Sequence, residues 1–193
     1  MQLIHMEESI SQLIDKAGNF SEEEAQLLID EITFREISEG TNLVDLNEVC
    51  SAIWYVVSGS FFQFSLDDER QKNVIDLNLP GDWVINHKSF TTRNPSEAII
   101  QAYEDSTVYA LSMDSIHKLI ALSPSFFQLG IILEGSNARV EFYDHNLSPD
   151  EKYSFILEHR PRLLQTFPLT MIASYLKITP ETMSRVRKRM TQL

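Results

Sequence analysis

Five short β-rich runs constrain the fold most. They lie between about Phe34 and Met113, at residues 52–57, 61–66, 73–79, 99–102 and 107–112. Turn signals punctuate the same region at Glu39-Gly40, Ser58-Gly59, Asp67-Asp68 and Pro80-Gly81-Asp82. Runs rich in Val, Ile, Phe, Tyr and Trp suit a pleated surface that packs against a core. Many such strands at this spacing predict an antiparallel sandwich or roll rather than a parallel sheet. Trp83, Ile85 and Phe90 fit most simply as filling of its interior, and the single cysteine, Cys50, as a small buried apolar side chain.

Helical texture flanks this region. Residues 7–17 and 22–31 read as helices, the second opened by a Ser21/Glu24 capping box and given an apolar face by Ala25, Leu28, Ile29 and Ile32. After Asp114 the pattern turns helical again, and Ser123-Pro124 opens a longer helix. Phe126, Leu129, Leu133, Ser136, Val140, Tyr143 and Leu147 are spaced alternately by three and four, a heptad seam with one polar interruption. The seam fits parallel packing against a second copy, or docking onto the roll of the same chain. Ser148-Pro149-Asp150-Glu151 caps a further helix, which Arg160-Pro161 breaks.

The end of the chain reads as two short helices joined by a tight turn. Ile172, Ala173 and Leu176 form an apolar stripe that Ile178 carries into the turn. Thr179 suits the cap of the second helix and Pro180 its first position, where the missing N–H costs nothing. Met183, Val186 and Met190 share one side of that helix; Glu181, Arg185 and Lys188 share the other. A short helix, a turn and a helix with an outward polar face is how a helix-turn-helix offers side chains to the DNA major groove.

Charge segregation sharpens this. The chain carries a net charge of −12, yet the segment from Arg160 onward carries +6, leaving −18 on the rest. The acidic bulk weakens non-specific attraction to phosphates while the tail supplies a local cationic footprint. No run approaches the roughly 18 apolar residues of a membrane span, and the N-terminus lacks a signal-peptide pattern, so a cytoplasmic protein is expected. Five histidines without paired ligand spacing, and no phosphate-binding glycine loop or nucleophile elbow, argue against an enzyme, a metal or a cofactor.

The order of these parts resembles the cyclic-AMP receptor protein/fumarate–nitrate regulator (CRP/FNR) family, from about Phe34 onward. The residues that carry the resemblance are Glu39-Gly40, 54–60 (Trp-Tyr-Val-Val-Ser-Gly-Ser), 80–84 (Pro-Gly-Asp-Trp-Val), 172–176 (Ile-Ala-Ser-Tyr-Leu) and 179–185 (Thr-Pro-Glu-Thr-Met-Ser-Arg). The resemblance implies an α+β chain. A jelly-roll sensor with N-terminal helices would occupy 1–120, a long dimerisation helix 121–147, and a winged-helix-like helix-turn-helix with a short or absent wing 148–193. It implies a homodimeric transcription regulator with double-stranded DNA as partner, RNA polymerase as a further partner, and an unidentified small-molecule effector.

By the same analogy Glu181 and Arg185 are the base readers. Chemistry agrees, since Arg donates bidentately to guanine and Glu accepts from cytosine N4. Thr170, Thr179, Thr182, Ser184, Lys188 and Arg189 complete the expected DNA surface, chiefly as phosphate contacts. Pro180 stands where many relatives carry a base-reading arginine, and Lys177 where a turn glycine is common. The sequence ends at Leu193 with no room for the usual hairpin wing.

The cyclic-nucleotide cassette departs further. Asn86 matches the ribose-binding glutamate, Ile85 the glycine before it, and Ser96, followed by Glu97, the phosphate-binding arginine. Replacing a cationic clamp by a hydroxyl beside a carboxylate reverses the electrostatics for an anion, so cyclic AMP is not expected to bind. His87, Lys88 and Arg93 stand nearby as a candidate alternative anion site, giving a ligand set of Asn86, His87, Lys88, Arg93, Ser96 and Glu97. Two rival readings follow: a constitutive DNA-binding dimer with the roll as scaffold, and a protein-interaction module that no longer binds DNA.

Overall fold

The computed structural model describes residues 2–142 and 147–190. Two helices lead, α1 (Gln2–Ala17) and α2 (Glu22–Glu31). The Ser21/Glu24 capping box forms as expected: Glu24 accepts from the Ser21 backbone, and the Ser21 hydroxyl accepts from Glu24 N–H. That backbone bond, followed by the Ser125 and Ser123 hydroxyls, holds the Glu24 carboxyl down to about 2.

Eight strands follow. β1 (Thr33–Ile37), β3 (Ala52–Ser58), β6 (Trp83–Val84) and β8 (Ser106–Ser112) form one sheet in the order β1-β8-β3-β6. β2 (Asn42–Val44), β4 (Phe61–Leu66), β5 (Lys72–Asn78) and β7 (Ile99–Ala102) form the second in the order β2-β7-β4-β5. All pairings are antiparallel. The five expected runs are strands within one residue of their expected limits, and β1, β2 and β6 add to them. The β3–β4 turn needs its glycine. Gly59 has φ 78°, and a Cβ there would lie 2.1 Å from Ser106 Oγ and 2.6 Å from the Asp105 carbonyl.

Two apolar cores share the roll. Phe61, Tyr55, Trp83, Ile85 and Phe90 pack in the first with Leu13 and Leu28 of the N-terminal helices. Phe62, Phe64, Val74 and Leu77 belong to the second, which they share with the C-terminal helices. Strand β4 is therefore covered on both faces, and its residues Phe61–Phe64 are all buried. Cys50 is fully buried, its Sγ 3.3 Å from the Ala52 carbonyl, and burial pushes its thiol pKa up.

The continuous long helix expected over 121–147 is divided. α4 (Met113–Leu122) ends first, a 3-10 segment spans Pro124–Leu129, and α5 runs Gly130–Phe142. Ser123 caps the 3-10 segment through Ser125 N–H. Phe126, Leu129 and Ser136 of the heptad seam are buried within their own chain, and Phe126 stacks on Phe20 at 5.2 Å. At these positions the seam docks onto the roll. Tyr143 lies outside the described residues, and Leu147 belongs to no helix. The surface left bare is different: Leu122, Phe127 and Ile131 are 57 %, 69 % and 57 % exposed. Four further helices complete the chain: α6 (Pro149–His159), α7 (Leu163–Thr166), α8 (Leu169–Tyr175) and α9 (Pro180–Met190).

Candidate nucleic-acid interface and ligand pocket

Local chemistry builds the helix-turn-helix. After α8 the Lys177 N–H donates to Ser174 O at 3.0 Å and the Ile178 N–H to Ala173 O at 3.0 Å, the paired bonds of a Schellman stop. Lys177 takes the left-handed position at φ 56°. The turn thus keeps the geometry a glycine would give, with lysine carrying the strain. From below, the buried Lys152 of α6 donates its Nζ to Leu176 O at 2.9 Å. Thr179 then caps α9, its Oγ1 accepting from Thr182 N–H at 3.2 Å. Lys177→Gly is expected to raise unfolding stability by about 0.5–1 kcal/mol, because glycine enters this conformation without a Cβ penalty. Urea denaturation of the two proteins measures it.

α9 is two-sided as the sequence requires. Met183 and Val186 are buried against α6 and α8, while Glu181, Ser184, Arg185, Lys188 and Arg189 are exposed. The Glu181 carboxyl is held below the usual range by its own backbone N–H, then the Thr179 hydroxyl and the Arg185 guanidinium. An ionised acceptor and a fixed cation therefore stand one turn apart. Arg189 is not free in this arrangement; it grips Asp150 of α6 at 2.6 and 2.8 Å. Thr170 is exposed, and with Pro180 and Lys177 it borders a cleft of about 570 Å³ whose other wall includes Lys72 and Asn73 of β5.

The roll holds a second cavity, about 350 Å³, beside the short helix α3 (His87–Thr92). The polar groups of the expected ligand set are mostly spent on one another. Asn86 caps α3 by accepting from Ser89 N–H and donates to Ser96 Oγ at 2.6 Å. Ser96 in turn donates to the Ala98 carbonyl. Lys88 pairs with Glu97 at 2.8 Å, both largely exposed. Arg93 does not line the cavity; its guanidinium donates to Cys50 O at 2.9 Å. His87 is half-buried at the rim. Of His87, Lys88 and Arg93, the structure thus brings the first two to the cavity and turns the third away from it. Two lining residues that sequence reasoning missed, Gln63 and Ser136, are 8 % and 6 % exposed.

A buried ionic network joins the roll to the helix-turn-helix. Arg139 of α5 grips Asp76 of β5, with Nη2 2.6 Å and Nε 3.1 Å from Oδ2, and reaches Asp82 at 3.8 Å. Burial favours loss of the Arg139 proton, but Asp76 and then Asp82 outweigh it and hold the guanidinium more firmly charged. Asp82 also takes Arg160 at 2.5 Å, and Arg160 donates to Leu77 O and to the Tyr175 hydroxyl of α8. Beside it the Val74 N–H donates to Ser174 Oγ at 2.9 Å. Two cations and two carboxylates thus fasten α5, the Pro80-Gly81-Asp82 turn and α8 together.

Comparison with known proteins agrees with this architecture. The family model of the cyclic nucleotide-binding domain matches residues 34–123. FixK2 from Bradyrhizobium japonicum is similar with a TM-score of 0.69 at 19 % identity, over 83 % of this chain and 85 % of that one. Thermus thermophilus catabolite activator protein is similar with a TM-score of 0.55 at 20 % identity, over 90 % and 85 %. CLP of Xanthomonas campestris, described as a c-di-GMP-responsive global regulator, gives 0.61 at 14 % identity, over 89 % and 92 %. No curated protein matches the sequence. The chain thus contains a cyclic nucleotide-binding-type roll and has the fold of the CRP/FNR regulators. Among the described residues no helix is long and apolar enough to cross a membrane, and no cluster of ligating side chains could hold a metal ion.

Proposed function

We propose that this protein is a dimeric, cytoplasmic, DNA-binding transcription regulator rather than an enzyme, with residues 148–193 as its DNA-binding unit. The observation that carries this is the two-sided α9, with Met183 and Val186 anchored inward and Glu181, Ser184, Arg185 and Lys188 turned outward on the cationic part of an acidic chain. Glu181 and Arg185 read bases; Thr170, Thr179, Thr182, Ser184, Lys188 and Arg189 position the helix on phosphates, Arg189 after leaving Asp150. A second copy covers the bare apolar surface of Leu122, Phe127 and Ile131. RNA polymerase is the machinery such a regulator would act on.

The roll does not take cyclic AMP. Ser96 and Asn86 satisfy each other where a phosphate clamp would need a free cation. The same self-pairing favours a second reading, a ligand-free scaffold roll on a constitutive DNA-binding dimer. Selection from a pool of random duplexes tests the main proposal. A selected duplex is expected to bind at least about 10³-fold more tightly than its scrambled counterpart at the same salt. Equal affinity for both would overturn base reading by α9.

A further inference from the structure

The 350 Å³ cavity in the roll contains two polar side chains that the fold itself does not use. Gln63 on β4 and Ser136 on α5 are each more than nine-tenths buried. Neither has a hydrogen-bond partner among the described residues, while the polar groups beside them, Asn86, Ser89 and Ser96, are all engaged. The polar atoms of Gln63 and Ser136 open onto the cavity and are left to pair with whatever fills it, solvent or a ligand. Both residues face the same space, whose lining mixes aliphatic side chains, among them Ile75, Ile85, Ala98 and Val140, with polar ones that include His87, Lys88 and Glu97.

We infer that this cavity binds a small uncharged molecule bearing an amide, carbonyl or hydroxyl group, held between Gln63 and Ser136. An amide side chain and a hydroxyl can each both donate and accept, so together they match a neutral polar group and leave the apolar walls for its body. The Lys and Arg side chains nearby are engaged, and the Glu97 carboxylate on the same wall opposes an anion. Lys88 is paired with Glu97, Arg93 is turned to Cys50 O, and Arg139 is held by Asp76. The volume lies near the lower end of the roughly 300–1,000 Å³ usual for ligand sites, so the molecule is small.

The two anchors belong to different elements. Gln63 is on the sheet, and Ser136 stands three residues before Arg139 on α5, so an occupant ties that helix to the roll. Occupancy therefore favours the arrangement in which Arg139 holds Asp76 and Asp82, with Asp82 also held by Arg160. This inference rests on the reading of the roll as a sensor and is independent of DNA binding.

A defined fragment panel tests it with the full chain: benzamide, 2-pyrrolidinone and phenol as uncharged probes, with inorganic phosphate, benzoate and cyclic AMP as anions. Saturation-transfer NMR and thermal shift are expected to show binding by the uncharged set alone, with a raised Tm. Gln63→Leu and Ser136→Ala are each expected to weaken that binding about tenfold. Without ligand, both variants are expected to unfold near the wild-type temperature, because neither side chain is bonded within the fold; a purely structural role would lower it. Anions binding as well as amides, amide binding that survives both substitutions, or no binding at millimolar concentration would overturn the inference. Selected-duplex binding by a protein that takes no fragment would sink this inference alone. Fragment binding without any specific duplex would sink the regulator reading alone.

Discussion

Arg139→Leu is expected to cost about 3–5 kcal/mol of folding stability, a large share of the roughly 5–15 kcal/mol that holds a domain of ordinary size. The side chain is 18 % exposed and faces Asp76, itself only 6 % exposed, so the substitution leaves a buried carboxylate without its cation. The loss comes mainly from that uncompensated charge rather than from the missing attraction. Among the described residues Asp76 would keep only the Leu77 N–H and the Asn78 amide, and Asp82 only Arg160 among the cations. A second substitution, Asp76→Asn, should therefore recover most of the loss in the double variant, the non-additivity expected of direct partners. Urea unfolding of the single and double variants measures both quantities. A loss below about 1 kcal/mol for Arg139→Leu would mean that the network is solvated and does not join α5 to β5.

The second large effect concerns recognition. Arg185→Ala is expected to cost about 1–3 kcal/mol on the selected duplex, which is about 5- to 150-fold in affinity. The same change should relax preference at one base pair and barely alter binding to scrambled DNA. Arginine offers two parallel N–H donors that match guanine O6 and N7, a geometry no truncated side chain keeps. Arg185 is exposed on α9 while its neighbour Val186 is fully buried, so the substitution removes a reader without disturbing the anchor. Fluorescence anisotropy on the two duplexes separates the outcomes. Equal losses on both would move Arg185 to the phosphate backbone.

What could be read in the sequence was what is encoded locally. The Ser21, Ser148 and Thr179 caps and the Met183/Val186 side of α9 each depend on residues a few positions apart, and all form as expected. Lys177, where a turn glycine is common, keeps the left-handed geometry, held by two backbone bonds and by Lys152 on the neighbouring Leu176 carbonyl. Non-local features were hidden. β1 is an edge strand whose first four residues are exposed, so it shows no apolar alternation, and β6 has only two residues. The heptad spacing of Phe126, Leu129 and Ser136 marks a helix face without saying what covers it, and the roll of the same chain does. Arg139 and Asp76 are 63 positions apart, a pairing no spacing rule reveals. At the ligand site, residue types flagged the lost phosphate clamp. Only the fold shows that Asn86 and Ser96 pair while Gln63 and Ser136 do not.

The account rests on two α9 helices, one from each copy, entering successive major grooves on one face of a duplex. Hydroxyl-radical footprinting of the selected duplex tests this most directly. Two protected patches centred about 10–10.5 base pairs apart, roughly 34 Å, are expected, and both should fade with Arg185→Ala. A single patch, or protection that spreads evenly along the duplex, would contradict it.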